Sequence, residues 1–184
     1  MTQPMTYGPS ALRTPANLIT VVRMLAAPVM IALVLHDRYS YTPAVAWLFL
    51  SVTDGADGYV ARRHGTTKSG AFLDPLADKI LVFGVFAALV YLGKVALIPV
   101  VIMGVREIII SIYRSVVLRK GISVPARMLG KLKMVVQLLV IELAILPIAG
   151  LERAVTVLLW VATFLAVASG VQYLMDARVK RVVP

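Results

Sequence analysis

The apolar residues of this chain gather into blocks of roughly 20, the length at which an α-helix crosses the hydrocarbon core of a bilayer. Hydrophobic residues make up 60% of the 184 positions, against ~45–50% in a soluble domain, and mean hydropathy is +0.88. A soluble helical bundle would show a polar face on each helix; stretches such as 80–92 and 154–168 have almost none. The pattern predicts an all-α integral membrane protein with six transmembrane helices, at about 17–36, 43–61, 72–93, 96–118, 131–149 and 154–175. Pro15 ahead of Asn17 suits a helix start, with Asn17 as its N-cap. The first residues lack the features of a cleaved signal peptide, so the first block is expected to stay as a span. Residues 1–15, with Arg13, are expected to form a short interfacial segment, 16–176 the six-helix bundle and 177–184 a basic tail, together making one membrane domain.

Charge fixes the expected orientation. Arg13, Arg62, Arg63, Lys68, Arg119, Lys120, Arg127 and the tail residues Arg178, Lys180 and Arg181 fall on one side, and only Arg38, Lys94 and Arg153 on the other. Lys and Arg mark the cytoplasmic side, so both termini are expected there. Net charge is +10. In a membrane protein such an excess points to anionic headgroups or a phosphorylated substrate, not to nucleic acid, because the basic residues lie in or beside the spans. No cysteine is present, which excludes disulfides and thiolate metal sites.

The chain has nine acidic residues, and four are aspartates crowded between the second and third spans: Asp54, Asp57, Asp74 and Asp78. Spacings of three and four put each pair on one helix face. The connection between the spans is short, so antiparallel neighbours could bring all four carboxylates to one depth. Left alone in a low-dielectric site they would repel, and some would protonate. A hard divalent cation with a preference for oxygen resolves the conflict: Mg²⁺, Mn²⁺ or Ca²⁺. Mg²⁺ sites commonly combine carboxylates with substrate phosphates, so a phosphorylated substrate is implied. Helix capping accounts for Asp74 alone. Gly58, Ala61 and Gly70 would let a ligand approach the backbone, or serve only helix packing, and Arg62 offers a cationic fork for a phosphate.

A second polar set lies in the fourth and fifth spans. Arg106 and Arg114 are about two turns apart on one face. With Lys131 they are expected to form a basic pocket for a phosphate on an acceptor, provided that both spans line one cavity with the metal site. The plainer alternative for Arg106 and Glu107 is a structural ion pair. Arg119, Lys120 and Arg127 read as ordinary cytoplasmic-side charges. Glu142, inside span five, fits either a basic neighbour or an oligomer interface.

Asp54-x-x-Asp57-Gly58-x-x-Ala61-Arg62, followed by Gly70-x-x-x-Asp74-x-x-x-Asp78, resembles the signature of the CDP-alcohol phosphotransferase family. Eight fixed positions fall within 25 residues. The spacer from Arg62 to Gly70 is one residue shorter than in many members, within what the pattern tolerates. The resemblance implies transfer of a phosphoryl-bearing group from a CDP-linked donor to an alcohol, with release of CMP. It implies metal held by Asp54, Asp57, Asp74 and Asp78, two Mg²⁺ or Mn²⁺ ions in all, with Asp78 also able to take the acceptor's proton. It implies a CDP pocket lined by Asp57, Gly58, Ala61, Arg62 and Gly70. Asn17-Leu-Ile-Thr20-x-x-Arg23, the FLDPLADK stretch, Arg106-Glu107, Arg114 and Gly130-Lys131-x-Lys133 are similar to members that join CDP-diacylglycerol to sn-glycerol 3-phosphate. Members that make cardiolipin or phosphatidylinositol phosphate are the alternatives, and a cation transporter is the alternative from another class. The resemblance further implies a homodimer in a bacterial cytoplasmic membrane, with its active site facing the cytoplasm.

Overall fold

The computed structural model describes residues 15–64, 70–119 and 128–182, and the side chains of 22, 24–53, 78–117 and 128–176. Among the described residues six α-helices follow one another: α1 Pro15–His36, α2 Thr42–His64, α3 Gly70–Tyr91, α4 Leu97–Arg119, α5 Met128–Ile145 and α6 Glu152–Val182. Among the described residues there is no strand. Each expected span has its helix, and the differences lie at the ends.

α1 is already helical at Pro15, so Asn17 sits inside the first turn and is not its N-cap. Proline suits that turn because its missing N–H would have had no partner there. The segment expected to lie at the membrane interface falls outside the described residues, apart from Pro15. α5 stops at Ile145, short of the expected 149. Pro147 disfavours helix in the residue before it, and Gly150 takes φ +88° in the turn that leads to α6. At its other end α6 continues to Val182, so the basic tail begins as a helical extension of the last span.

Within α6, Glu152–Asp176 is long and apolar enough to cross a membrane, about 37 Å at ~1.5 Å per residue. The apolar run of α4 is interrupted by Arg106, Glu107 and Arg114, and that of α5 by Lys131, Lys133 and Glu142.

Two compact units result, Met1–Ala88 with Ile145–Pro147 and Leu89–Ala144 with Ile148–Pro184. The first is built on α1, α2 and most of α3. Ala27, Met30, Trp47, Val85 and Phe86 are buried in it. α3 comes so near α1 that a Cβ at Gly84 would stand 2.7 Å from Ile31 Cδ1. On α2, Thr53 donates its hydroxyl to Phe49 O at 2.8 Å and Leu50 O at 3.0 Å, which satisfies a polar group inside an apolar span.

The second unit is built on α4, α5 and α6. Lys133 meets Glu107 and Gln137 meets Met103, so α5 runs antiparallel to α4. Arg106 meets Ser169 and Tyr113 meets Tyr173, so α6 runs parallel to α4. Outward-facing Ile98, Val101, Ile102, Val105, Ile109 and Ile112 on α4 are exposed. In water they would be a liability; in lipid they are the expected surface. α3 ends in a Schellman cap: Gly93 takes φ +70°, its N–H donates to Val90 O and the Lys94 N–H to Leu89 O, both at 2.9 Å. These bonds satisfy carbonyls that the helix end would leave orphaned. Lys94 Nζ then donates to Ala144 O at 2.9 Å, in the last turn of α5, where a cation also favours the helix dipole.

Candidate active site: an aspartate helix pair and a buried basic lock

The aspartate cluster is carried by two helices of the first unit. α2 runs without a break through positions 54–62, and α3 from Gly70 through 78. The backbone therefore has the periodicity that sets Asp54 near Asp57 and Asp74 near Asp78 on their respective helix faces. The side chains of Asp54, Asp57, Gly58, Ala61, Arg62, Gly70 and Asp74 lie outside the described residues. Asp78 is half-buried about two turns into α3, beside Lys79 and just ahead of the apolar run that begins with Ile80 and Leu81. The donor set suits a hard divalent ion: carboxylate oxygens, with no cysteine in the chain to compete. Among the described residues no group of three or more carboxylates or histidines gathers.

The basic set is carried by the second unit, and the three expected phosphate ligands have different surroundings. Arg114 and Lys131 are exposed, whereas Arg106 is half-buried. The Arg106 Nε donates to Ala166 O at 2.8 Å, Nη2 to Ser169 Oγ at 3.0 Å and Nη1 to Glu107 Oε2 at 2.8 Å. Glu107 Oε2 also accepts Lys133 Nζ at 2.5 Å. The Arg106–Glu107 ion pair is thus present, and Lys133 extends it to a third helix. Lys131 and Lys133 are two apart, so the register of α5 turns them to different faces. Lys133 is 8% exposed and faces α4. In a low-dielectric setting this sharing is what makes three charges tolerable, because an unpaired one would cost several kcal/mol.

Sequence reasoning picked Arg106 and Glu107 but missed the lysine that completes the lock and the α6 residues that receive the guanidinium. One signal was available. Ala162, Thr163, Ala166, Ser169 and Gly170 put small side chains at helical spacing along one stripe of the last span, as required where another helix packs closely.

The model for CDP-alcohol phosphatidyltransferase matches residues 13–168 of this chain. Among curated proteins, the chain is 34% identical over 177 residues to a probable phosphatidylglycerophosphate synthase of Mycobacterium tuberculosis (strain H37Rv), covering 92% of this chain and 84% of that one. It is 33% identical over 165 residues to a CDP-diacylglycerol–glycerol-3-phosphate 3-phosphatidyltransferase of Rickettsia typhi, covering 85% and 93%. A protein of the same description from Bacillus subtilis is 38% identical over 144 residues, covering 71% and 70%. These matches are to transferases, and the ion-transport alternative is dropped.

Proposed function

This chain belongs to the CDP-alcohol phosphatidyltransferase family, and from that premise we propose that it transfers the phosphatidyl group of CDP-diacylglycerol to sn-glycerol 3-phosphate, giving phosphatidylglycerophosphate and CMP. The observation that carries this reading is the likeness to relatives named for that reaction over most of both chains. The eight-position aspartate motif on α2 and α3 and the intramembrane cations on α4 and α5 suit the two substrates: a metal-bound diphosphate and an acceptor that brings its own phosphate. The match extends across both compact units, which supports one catalytic domain.

In this reading Asp54, Asp57, Asp74 and Asp78 hold two ions, Mg²⁺ or Mn²⁺. Asp57, Gly58, Ala61, Arg62 and Gly70 receive the CDP moiety, the small residues by admitting it close to the backbone and Arg62 by pairing with a phosphate oxygen. When bound, the ions neutralise the diphosphate and stabilise the charge that develops on the departing CMP. The acceptor's hydroxyl oxygen forms a bond to the phosphorus that carries diacylglycerol. The bond from that phosphorus to the CMP oxygen breaks, and CMP takes the electron pair. Asp78 accepts the hydroxyl proton, which an alcohol would not otherwise give up near neutral pH. Arg106, Arg114 and Lys131 hold the acceptor's phosphate. Among the described residues Arg106 makes three bonds to protein, which leaves one further N–H on each terminal nitrogen for this task. The excess of Lys and Arg at alternate connections supports an active site facing the cytoplasm, and the family supports a homodimer.

Radiolabelled glycerol 3-phosphate tests the reading. Label should enter a lipid-extractable product only when CDP-diacylglycerol and a divalent cation are both present. Label that stays in the aqueous phase under all conditions would contradict it.

A further inference from the structure

A guanidinium inside a membrane span has to find its partners within the protein, and Arg106 finds two of them on α6. Its Nε donates to Ala166 O at 2.8 Å and its Nη2 to Ser169 Oγ at 3.0 Å. Ser169 Oγ donates in turn to the same Ala166 O at 3.0 Å. Ala166 is fully buried and Ser169 nearly so, at 6%. The close approach depends on Gly170: a Cβ there would stand 3.1 Å from Arg106 Nε and 3.4 Å from its Cγ. The arginine stem lies against a bare stretch of helix backbone, and one edge of its planar fork is fixed by a carbonyl and a hydroxyl. The Glu107 carboxylate at Nη1 fixes the far side.

We propose that Ser169 and Gly170 are positioning residues for acceptor recognition. They fix the plane of the Arg106 guanidinium, so that its unbonded N–H groups meet the phosphate of the acceptor with little left to order. This inference rests on the reading of Arg106 as a ligand of the acceptor phosphate. A fixed fork binds more tightly than a floppy one, because the ordering entropy is lost on folding and not on binding, and the fork shape suits a phosphate oxygen pair. Were Ser169 and Gly170 there only to let α4 and α6 pack, their loss would weaken the handling of both substrates together.

The test is a kinetic split in the full-length enzyme in lipid or detergent, with KM measured separately for glycerol 3-phosphate and CDP-diacylglycerol. Ser169→Ala removes one bond to a charged donor and should raise the acceptor KM roughly tenfold, leaving the donor KM in place. Gly170→Ala should act in the same direction, and Ser169→Ala reads the same contact without an added atom if the glycine variant fails to fold. On an Arg106→Lys background, which lacks Nε and the fork, neither change should raise the acceptor KM further. Equal effects on both substrates, or undiminished effects on the Arg106→Lys background, would overturn the positioning role. An Arg106→Ala enzyme with an unaltered acceptor KM would instead remove the reading of Arg106 itself, and this inference with it.

Discussion

One carboxylate oxygen of Glu107 accepts Lys133 Nζ from α5 at 2.5 Å and Arg106 Nη1 from its own helix at 2.8 Å. All three side chains are less than one-fifth exposed, so this acid is what allows the two cations to stay buried between α4 and α5. Glu107→Gln keeps the shape and removes the charge. It should destabilise the protein by about 3 kcal/mol, read as an earlier denaturant midpoint in detergent. A wild-type midpoint would mean that the carboxylate does not carry this load.

Gly84 and Ile31 test the packing of the first unit. A Cβ at Gly84 would meet the terminal Cδ1 of Ile31 at 2.7 Å, a contact that the isoleucine can relieve only by shifting. Gly84→Ala should cost about 1 kcal/mol, and Ile31→Val, which deletes Cδ1, should recover most of it. A double variant no better than Gly84→Ala alone would show that the two helices are not in register there.

The cap at the end of α3 makes a stability prediction that leaves chemistry alone. Gly93 sits at φ +70°, a conformation that costs an L-residue about 1 kcal/mol or more. Gly93→Ala should lower stability by about that amount, and Lys94→Met by about 1 kcal/mol through loss of the bond to Ala144 O. Turnover per folded enzyme should hold in both, measured on the fraction that survives size exclusion.

Asp78→Asn is the sharpest test of the proposed base. Turnover should fall by about 10²–10⁴ even at metal concentrations high enough to offset the weaker site that loss of one carboxylate ligand leaves, with metal and CDP-diacylglycerol occupancy measured by equilibrium binding alongside CMP release. Near-full turnover with metal bound would take the proton-accepting role away from Asp78. Chelation with EDTA should abolish activity in the unaltered enzyme, and Mg²⁺ or Mn²⁺ should restore it.

What could be read in the sequence follows the range of the physics involved. Span positions come from local hydropathy, and each of the six was matched by a helix. The ends depend on dihedral angles that hydropathy does not register: Leu146 and Ile148 look like more of span five, yet Pro147 and the left-handed Gly150 end the helix at Ile145. The aspartate motif was legible because its spacing is written within 25 residues. The lock around Arg106 was legible only in part. Glu107 is its chain neighbour, but Lys133 and Ser169 lie 26 residues from Glu107 and 63 residues from Arg106 respectively. Nothing local distinguishes Lys133, which turns to Glu107, from the exposed Lys131 until the register of α5 against α4 is fixed.

The most direct test of the central claim is acceptor choice. Purified protein in lipid, with Mg²⁺ and CDP-diacylglycerol, would be offered glycerol 3-phosphate, phosphatidylglycerol and inositol phosphate in separate reactions, and CMP quantified in each. The account predicts CMP release with glycerol 3-phosphate alone. Release only with phosphatidylglycerol or inositol phosphate would contradict it, leaving the family in place and the acceptor wrong.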